Sequence, residues 1–501
     1  MVNINVKWGK EKLSVDVDMN EPPLLLKSQL FALTGVAPDR QKVVIKGRTL
    51  GDESWNGIAL AEGALVMMMG SSTAIPEKPG SAAKDTAAEG GADGEKKPAK
   101  LPIGLRNVGN TCYLNSVIQS LKTVPVLKTA LRQWSLPPSQ PAGPDVKIAQ
   151  SMKNVIEELD RPSRVAEDAV IPFGILQSLH AVLPQFASRS PQGQLQQQDA
   201  NECFAELQRL TLDGLSRAAV QGSTKVSEYF RGRYAVTLKN LESEEEALSH
   251  TTEDFFQLSC FLSVDVKYIQ TGIKEKLTEE IEKMSQSLQR NCKYEKKAMI
   301  DRLPSYLSVQ MVRFFYKSSA AVNAKILKDI KFPLTLDLFD VCTPALQERL
   351  RPQRDAFKEM EDARLERLRE AKLDGRDAKE VDEEIEKAEA EQPFSFDDDP
   401  GSNNSGFYDL QAVITHKGRS SDSGHYVAWV RLKGDQWAMC DDDEVHPVNS
   451  EQILKLSGGG DWHCAYVLLY GPRRLYKVEK KSEEIPAVAP ATTAENVPME
   501  N

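Results

Sequence analysis

Cys112 follows the run Gly104-Leu105-Arg106-Asn107-Val108-Gly109-Asn110-Thr111, and behind it Leu114, Val117, Ile118 and Leu121 recur at helical spacing. The pattern predicts a helix that begins near Cys112, with Asn110 and Thr111 as N-cap types. A thiol in a first helical turn feels the positive end of the helix dipole, which favours the thiolate, the nucleophilic form. The glycine-bearing approach lets backbone come close to a substrate chain. Asn107 can offer a side-chain N–H to a developing oxyanion, a contact typically worth about 3 kcal/mol. The ordinary reading of a lone cysteine is a small buried hydrophobe. Cys203, Cys260, Cys292, Cys342 and Cys464 are read that way; at Cys112 the cap and glycine context argue against it without settling the matter.

A second stretch could supply the base. Tyr408 to His416 alternates as a strand, Gly418 to Gly424 interrupts it, and His425-Tyr426-Val427-Ala428-Trp429-Val430 resumes. Lys433-Gly434 then reads as a hairpin turn before Gln436 to Asp441. His425 and Asp441 lie equally far from residue 433, so a symmetric hairpin puts them opposite each other. An imidazole held in one tautomer by a carboxylate and facing a thiol is how cysteine nucleophiles are activated. On hairpin geometry alone, a strand-end His bonded to a neighbouring carboxylate with no chemistry fits equally well. His180, His250, His416, His446 and His463 have no comparable pattern. Asp442 and Asp443 read as caps of the strand end, with Asp442 also within reach of a water near the oxyanion.

These segments need a scaffold, and 501 residues with 41% hydrophobic and 27% charged content suffice for at least two soluble domains. Residues 1–70 read as strand, strand, helix, strand, strand. Val2, Ile4, Val6 and Trp8 alternate, Gly9-Lys10 turns, and Leu13, Val15 and Val17 alternate again. Glu21-Pro22-Pro23 opens a helix that Thr34-Gly35 closes, and strands follow near Val43 and Leu65, which makes a β-grasp. Residues 71–100 are small and polar, a flexible linker. A large domain over 101–475 contains a highly charged stretch, 343–392, read as inserted solvated helices, and 476–501 read as a disordered tail.

The net charge of −10 counts against nucleic acid as the main partner. No apolar run reaches membrane-span length, and the first residues do not resemble a signal peptide. Seven scattered cysteines suit a reducing compartment, so a cytoplasmic location, with the nucleus also open to it, is expected. No Cys-x-x-Cys pair exists to supply the usual structural zinc site.

The Gly-Leu-x-Asn-x-Gly-Asn-Thr-Cys-Tyr-Leu-Asn-Ser run resembles the cysteine box of ubiquitin-specific proteases. Gln197-Gln198-Asp199-Ala200-Asn201-Glu202 resembles their Gln-Gln-Asp box, and Tyr408 to Gly418 with Gly424-His425-Tyr426 resembles their histidine box. The resemblance implies an α+β, papain-like catalytic fold with helical and sheet subdomains flanking a cleft. It implies thiol-dependent isopeptide hydrolysis without a cofactor or metal, with Cys112, His425 and Asp441 as a triad and Asn107 in the oxyanion hole. It assigns the ubiquitin tail to Gln198, Asp199, Glu202 and Tyr426. Within the family, the N-terminal ubiquitin-like domain and the runs Phe31 to Val36, Met311 to Tyr316 and Gly458 to His463 resemble a proteasome-associated member. That implies docking of residues 1–70 on the 26S proteasome regulatory particle by a chain that is monomeric when free. It also implies gating loops at Phe315 and Tyr316 and at Arg419, Ser420, Ser421, Asp422 and Ser423. A catalytically minor ubiquitin-binding adaptor is the alternative. Two departures stand out: Cys260 and Cys292 lack the partners that hold zinc in many members' fingers, and Cys440 replaces an aromatic before Asp441.

Overall fold

The alternating residues at the N-terminus form the strands they predict, with Ile4 and Val6 inward in β1 (Val2–Trp8) and Val15 and Val17 inward in β2 (Glu11–Val17). In this computed structural model the chain divides into two units, Met1–Lys96 and Lys97–Asn501. The structure describes residues 2–8, 11–17, 19, 23–34, 36, 41–45, 48–51, 55, 58, 60 and 63–69 of the first unit, and 100–135, 143–161, 168–217, 225–317, 322–376, 392–420, 423–460 and 462–476 of the second. The expected Gly9-Lys10 turn, Gly35, nearly all of the 71–100 linker and residues 477–501 lie outside the described residues.

In the first unit α1 (Pro23–Thr34), β3 (Lys42–Ile45), a short β4 (Arg48–Thr49) and β5 (Ala64–Met69) follow. The sheet order is β2-β1-β5-β3-β4 with β1 and β5 parallel, the β-grasp arrangement. Leu26 and Leu30 of α1 close its core against Ile4, Val6, Val43 and Val66.

In the second unit five helices come first: α2 (Cys112–Leu121), α3 (Pro125–Gln133), α4 (Pro144–Leu159), α5 (Phe173–Val182) and α6 (Ala200–Arg217). Strands β6 (Gly232–Asn240), β7 (Ser249–Phe255), β9 (Thr278–Met284) and β10 (Asn291–Arg302) form a four-stranded sheet ordered β7-β6-β10-β9. Between them in sequence lie β8 (Gln257–Phe261) and α7 (Ile269–Lys276). The largest sheet runs β18-β17-β16-β15-β19-β11-β8. Its remaining strands are β11 (Leu307–Val312), β15 (Phe407–Ser420), β16 (Ser423–Lys433), β17 (Gln436–Asp441), β18 (Glu444–Asn449) and β19 (Cys464–Pro472). Short β12 (Phe314–Lys317), β13 (Val322–Lys325) and β14 (Thr335–Asp337) attach beside it.

Both faces of this sheet are buried. In β16, Tyr426, Ala428 and Val430 face the core shared with α2 and α6, while Val427 and Trp429 face a second core with Trp437 and Leu468. The two-residue period of a strand therefore serves two cores at once, and α2 is fixed against the strand that carries His425. Cys260 lies on β8 in the large sheet, so of the two cysteines expected in the fingers only Cys292 belongs to the four-stranded sheet. The 343–392 stretch, read as inserted solvated helices, opens with one 30-residue helix, α8 (Pro344–Leu373). Its Leu346, Leu350 and Phe357 are buried, and Thr343 caps it by accepting from the Leu346 N–H; residues 377–391 lie outside the described residues.

Candidate active site

The approach to Cys112 turns through two left-handed residues, Gly109 at φ 111° and Asn110 at φ 51°. A side chain resists that conformation, and Asn110 is held in it by donating from Nδ2 to the Leu195 carbonyl at 2.8 Å. Helix α2 starts at Cys112, as the sequence predicts, but Thr111 does not cap it. Its hydroxyl accepts instead from the Val108 N–H at 3.0 Å, because the loop folds back on itself, and no side chain caps the helix. The Asn107 side-chain oxygen Oδ1 accepts from the Gly109 N–H at 2.9 Å and the Thr111 N–H at 3.2 Å, which locks the loop. Cys112 is 2% exposed.

His425 and Asp441 are brought together, although not as the symmetric hairpin predicts. The loop is Gly434 and Asp435, and an irregularity between Arg431 and Lys433 moves the register so that Ala428 pairs with Cys440 and Trp429 with Met439. His425 and Asp441 thereby become diagonal neighbours, still within side-chain reach. His425 Nε2 meets Asp441 Oδ1 at 2.5 Å, leaving Nδ1 for the thiol. The bond to Asp441 and then the neighbouring Cys112 push the imidazole up to about 10, against burial. Burial pushes the Asp441 carboxyl up, but the hydrogen bond and charge of His425 outweigh it and leave the group below its ordinary value.

Asp442 does more than end a strand. It occupies the β17–β18 turn at φ 54°, its Oδ2 accepts from Asn107 Nδ2 at 2.9 Å, and its Oδ1 accepts from Asn115 Nδ2 at 2.8 Å. Its backbone carbonyl accepts from the Leu105 N–H at 2.8 Å, and burial raises its carboxyl. Thus one residue ties the nucleophile loop and α2 to the hairpin that carries His425. The sequence reading gave Asn115 no role; its only signal was membership of the same run as Cys112. His425, Asp441 and Asp442 place donor atoms within 4.8 Å of one another, a spacing that could suit a metal. Those atoms are already engaged with each other and with Asn107 and Asn115, which favours the triad reading.

Asp199 caps α6, its Oδ1 accepting from the Asn201 and Glu202 N–H groups at 2.7 and 3.0 Å, while Oδ2 accepts from Tyr466 OH at 2.6 Å. Glu202 is exposed and Gln198 partly so. Tyr426 is 1% exposed and packs by its ring on His416, so here it forms wall rather than open contact surface. Burial keeps His416 down at about 3 and His463 at about 4, so both are neutral core groups. Cys440 is buried against the helical core, its thiol pushed up to about 12.

The expected gating loops are the ends of hairpins. Phe315 and Tyr316 lie in β12, which pairs with β13; Arg419 and Ser420 end β15, and Ser423 begins β16. Ala324 pairs with Ser420, so the two hairpins touch, while Ser421 and Asp422 lie outside the described residues.

The protein-family model described as "Ubiquitin carboxyl-terminal hydrolase" matches residues 103–470. The chain is 43% identical over 510 residues to Ubiquitin carboxyl-terminal hydrolase 14 of Caenorhabditis elegans, covering 99% of this chain and 98% of that one. It is 38% identical over 492 residues to Ubiquitin carboxyl-terminal hydrolase 6 of Arabidopsis thaliana, covering 94% and 99%. Among solved structures, the SAGA Ubp8/Sgf11/Sus1/Sgf73 DUB module bound to ubiquitin aldehyde matches with a TM-score of 0.51 at 19% identity, over 74% of this chain and 70% of that one. That last likeness is one of fold.

Proposed function

Since this chain belongs to the ubiquitin carboxyl-terminal hydrolase family, we propose that it is a deubiquitinase that works at the proteasome, trimming ubiquitin from conjugates there. The observation that carries the chemistry is the His425 ring, held by Asp441 on one side and neighbouring Cys112 on the other.

In this reading the Cys112 thiolate attacks the carbonyl carbon of ubiquitin's terminal glycine. The oxyanion forms beside Asn107, whose amide nitrogen carries two hydrogens and gives one to Asp442. Protonated His425 gives its proton to the departing lysine amine as the C–N bond breaks, leaving a thioester on Cys112. A water then attacks the thioester, losing a proton to His425, and the ubiquitin carboxylate leaves as the thiolate re-forms. No cofactor enters this scheme. Asp199 sets the start of α6 so that Glu202 and Gln198 line the path of the tail, and Tyr426 backs it. Cys112 is 2% exposed, and the hairpin ends at Phe315, Tyr316, Arg419, Ser420 and Ser423 are read as the gate that admits the tail.

Residues 1–70 serve as the docking unit for the proteasome regulatory particle. Leu65 and Met67 on β5 are 59% and 50% exposed, and Met67 pairs with Val44 of β3, so one apolar patch spans two strands. Exposed apolar patches of this kind mark interaction sites. The protein is read as monomeric when free, and as cytoplasmic with access to the nucleus.

The test is hydrolysis of a ubiquitin–lysine isopeptide with and without purified 26S proteasome, for the wild type and for Leu65→Asp/Met67→Asp. Stimulation by proteasome in the wild type, lost in the variant with unstimulated hydrolysis intact, is the expected result. Equal stimulation of both would overturn docking through this patch, and no hydrolysis under any condition would favour the adaptor.

A further inference from the structure

Strand β16 has His425 near its start and a second concave surface at its other end, about 27 Å along at about 3.4 Å per residue. The cleft there has a volume of about 640 Å³ and is walled by three separate parts of the chain. Arg364 comes from α8, Arg431 and Lys433 from β16, and Arg473 and Arg474 from the segment that leaves β19. Glu361 and Asp409 are the carboxylates among its lining residues, so cationic charges exceed anionic ones by three. The chain as a whole carries −10, so this excess runs against its composition.

Both carboxylates are already shared. Glu361 accepts from Arg364 Nη1 at 3.0 Å and from Arg473 Nη2 at 3.5 Å. Asp409 Oδ1 accepts from Thr335 Oγ1 at 2.7 Å, and its Oδ2 lies 3.7 Å from Arg431 Nη1. Aromatic rings also hold the guanidiniums: Arg473 lies over Phe357 and Phe407 at 5.4 and 5.8 Å, and Arg474 over Phe394 at 4.3 Å. Contact with a ring face orders a guanidinium without neutralising its charge. Arg431 Nε donates to the Gly434 carbonyl at 3.2 Å, which ties that side chain to the turn.

A cleft lined mainly by one sign of charge focuses its field and concentrates ions of the opposite sign. The volume is that of a small-molecule site, about 300–1,000 Å³. Arginine forks match phosphate oxygens two at a time. Cations that converge from three parts of the chain suit charges clustered on one compact molecule, where an extended acidic peptide would need them along a line. We propose that this cleft binds a compact polyphosphate of the inositol polyphosphate class, with Arg364, Arg431, Lys433, Arg473 and Arg474 as its cationic wall. None of these side chains belongs to the candidate active site, so the proposal stands apart from the deubiquitinase reading.

The test is calorimetric titration of the full chain with inositol hexakisphosphate at about 0.15 M salt, where weak surface attraction is screened. It compares the wild type, Arg431→Glu/Lys433→Glu, and Lys128→Ala/Arg132→Ala at the separate cation cluster around Asp160. Saturable binding is expected, weakened by about tenfold or more in Arg431→Glu/Lys433→Glu and unchanged in the Asp160-cluster variant. Lys433 is exposed, so Lys433→Glu alone, expected to weaken binding about threefold, keeps the test open if the paired change disturbs the turn. An unchanged melting temperature without ligand shows that each variant is folded. A parallel arm with phosphatidylcholine vesicles carrying phosphatidylinositol bisphosphate separates a lipid headgroup from a free molecule, and hexaglutamate stands for an acidic peptide. Tightest binding of the free hexakisphosphate is the expected result. No binding, equal binding by all variants, or preference for the vesicles or for hexaglutamate would overturn the proposal.

Discussion

The His425 imidazole has partners on both sides that favour its charged form, and this decides how the site responds to pH. Its raised value of about 10 means that the proton needed by the leaving amine is lost only as pH climbs through that region. The alkaline limb of a kcat/KM profile should therefore lie near pH 10. In Asp441→Asn the strongest support is removed, so the limb should move towards the ordinary His value of about 6.5. The sign for stability agrees: the contribution of the raised His425 is full below about 6.5 and lost as pH rises through about 10. A limb that stays in place would mean that Asp441 does not set the imidazole's proton affinity. Asp442 and Asn107 should behave as one unit. Asn107→Ala should lower kcat by about 10²–10³, and Asp442→Ala should fall in the same direction by misplacing Asn107. The double variant should be little worse than the poorer single one, a coupling that steady-state kinetics on all three would measure. The candidate nucleophile and base were legible from their local runs. The Asp442 junction was not, because its partners Asn107 and Asn115 sit 335 and 327 positions away in the chain.

At the scale of elements, the site depends on a helix start and a hairpin that are fixed against each other. The strands of that hairpin could be read from alternation, but its register could not, since the irregularity between Arg431 and Lys433 has no signature in residue type. A two-residue loop moved every pairing, and the triad survived because diagonal neighbours still touch. The same limit applies to the Gly418–Gly424 segment, which reads as a glycine-flanked loop and instead extends β15 and opens β16. Gly424 has φ 129°, and a Cβ there would lie 2.3 Å from the Lys417 carbonyl oxygen and 2.6 Å from His416 Nε2. Gly424→Ala should push the adjacent His425 out of line and cost about 10² in kcat, the penalty expected for about 1 Å of misplacement. Circular dichroism should show the fold retained, and unchanged turnover would show that the hairpin tip does not fix the base.

Over the whole molecule, the chain has separate cores, and this was visible early because a polar stretch divides two differently patterned regions. Leu30 is fully buried in the core of the first unit, and among the described residues the cores behind the candidate site are built from side chains of the second unit. Leu30→Ala should destabilise that unit by about 2–5 kcal/mol. Calorimetry should show one transition lowered while hydrolysis without proteasome stays intact; a shift of the entire melting profile would mean that the units unfold together. The inserted helix α8 was legible in its charge but not in its docking, because four buried apolar residues in 30 give too weak a stripe to mark a packed face. The central claim, that Cys112 forms the covalent bond to ubiquitin, is tested most directly with a ubiquitin vinyl sulfone in the presence of proteasome, followed by peptide mass mapping. One adduct on Cys112, absent in Cys112→Ala, is the predicted result; an adduct on any other of the seven cysteines, or labelling that persists in Cys112→Ala, would contradict it.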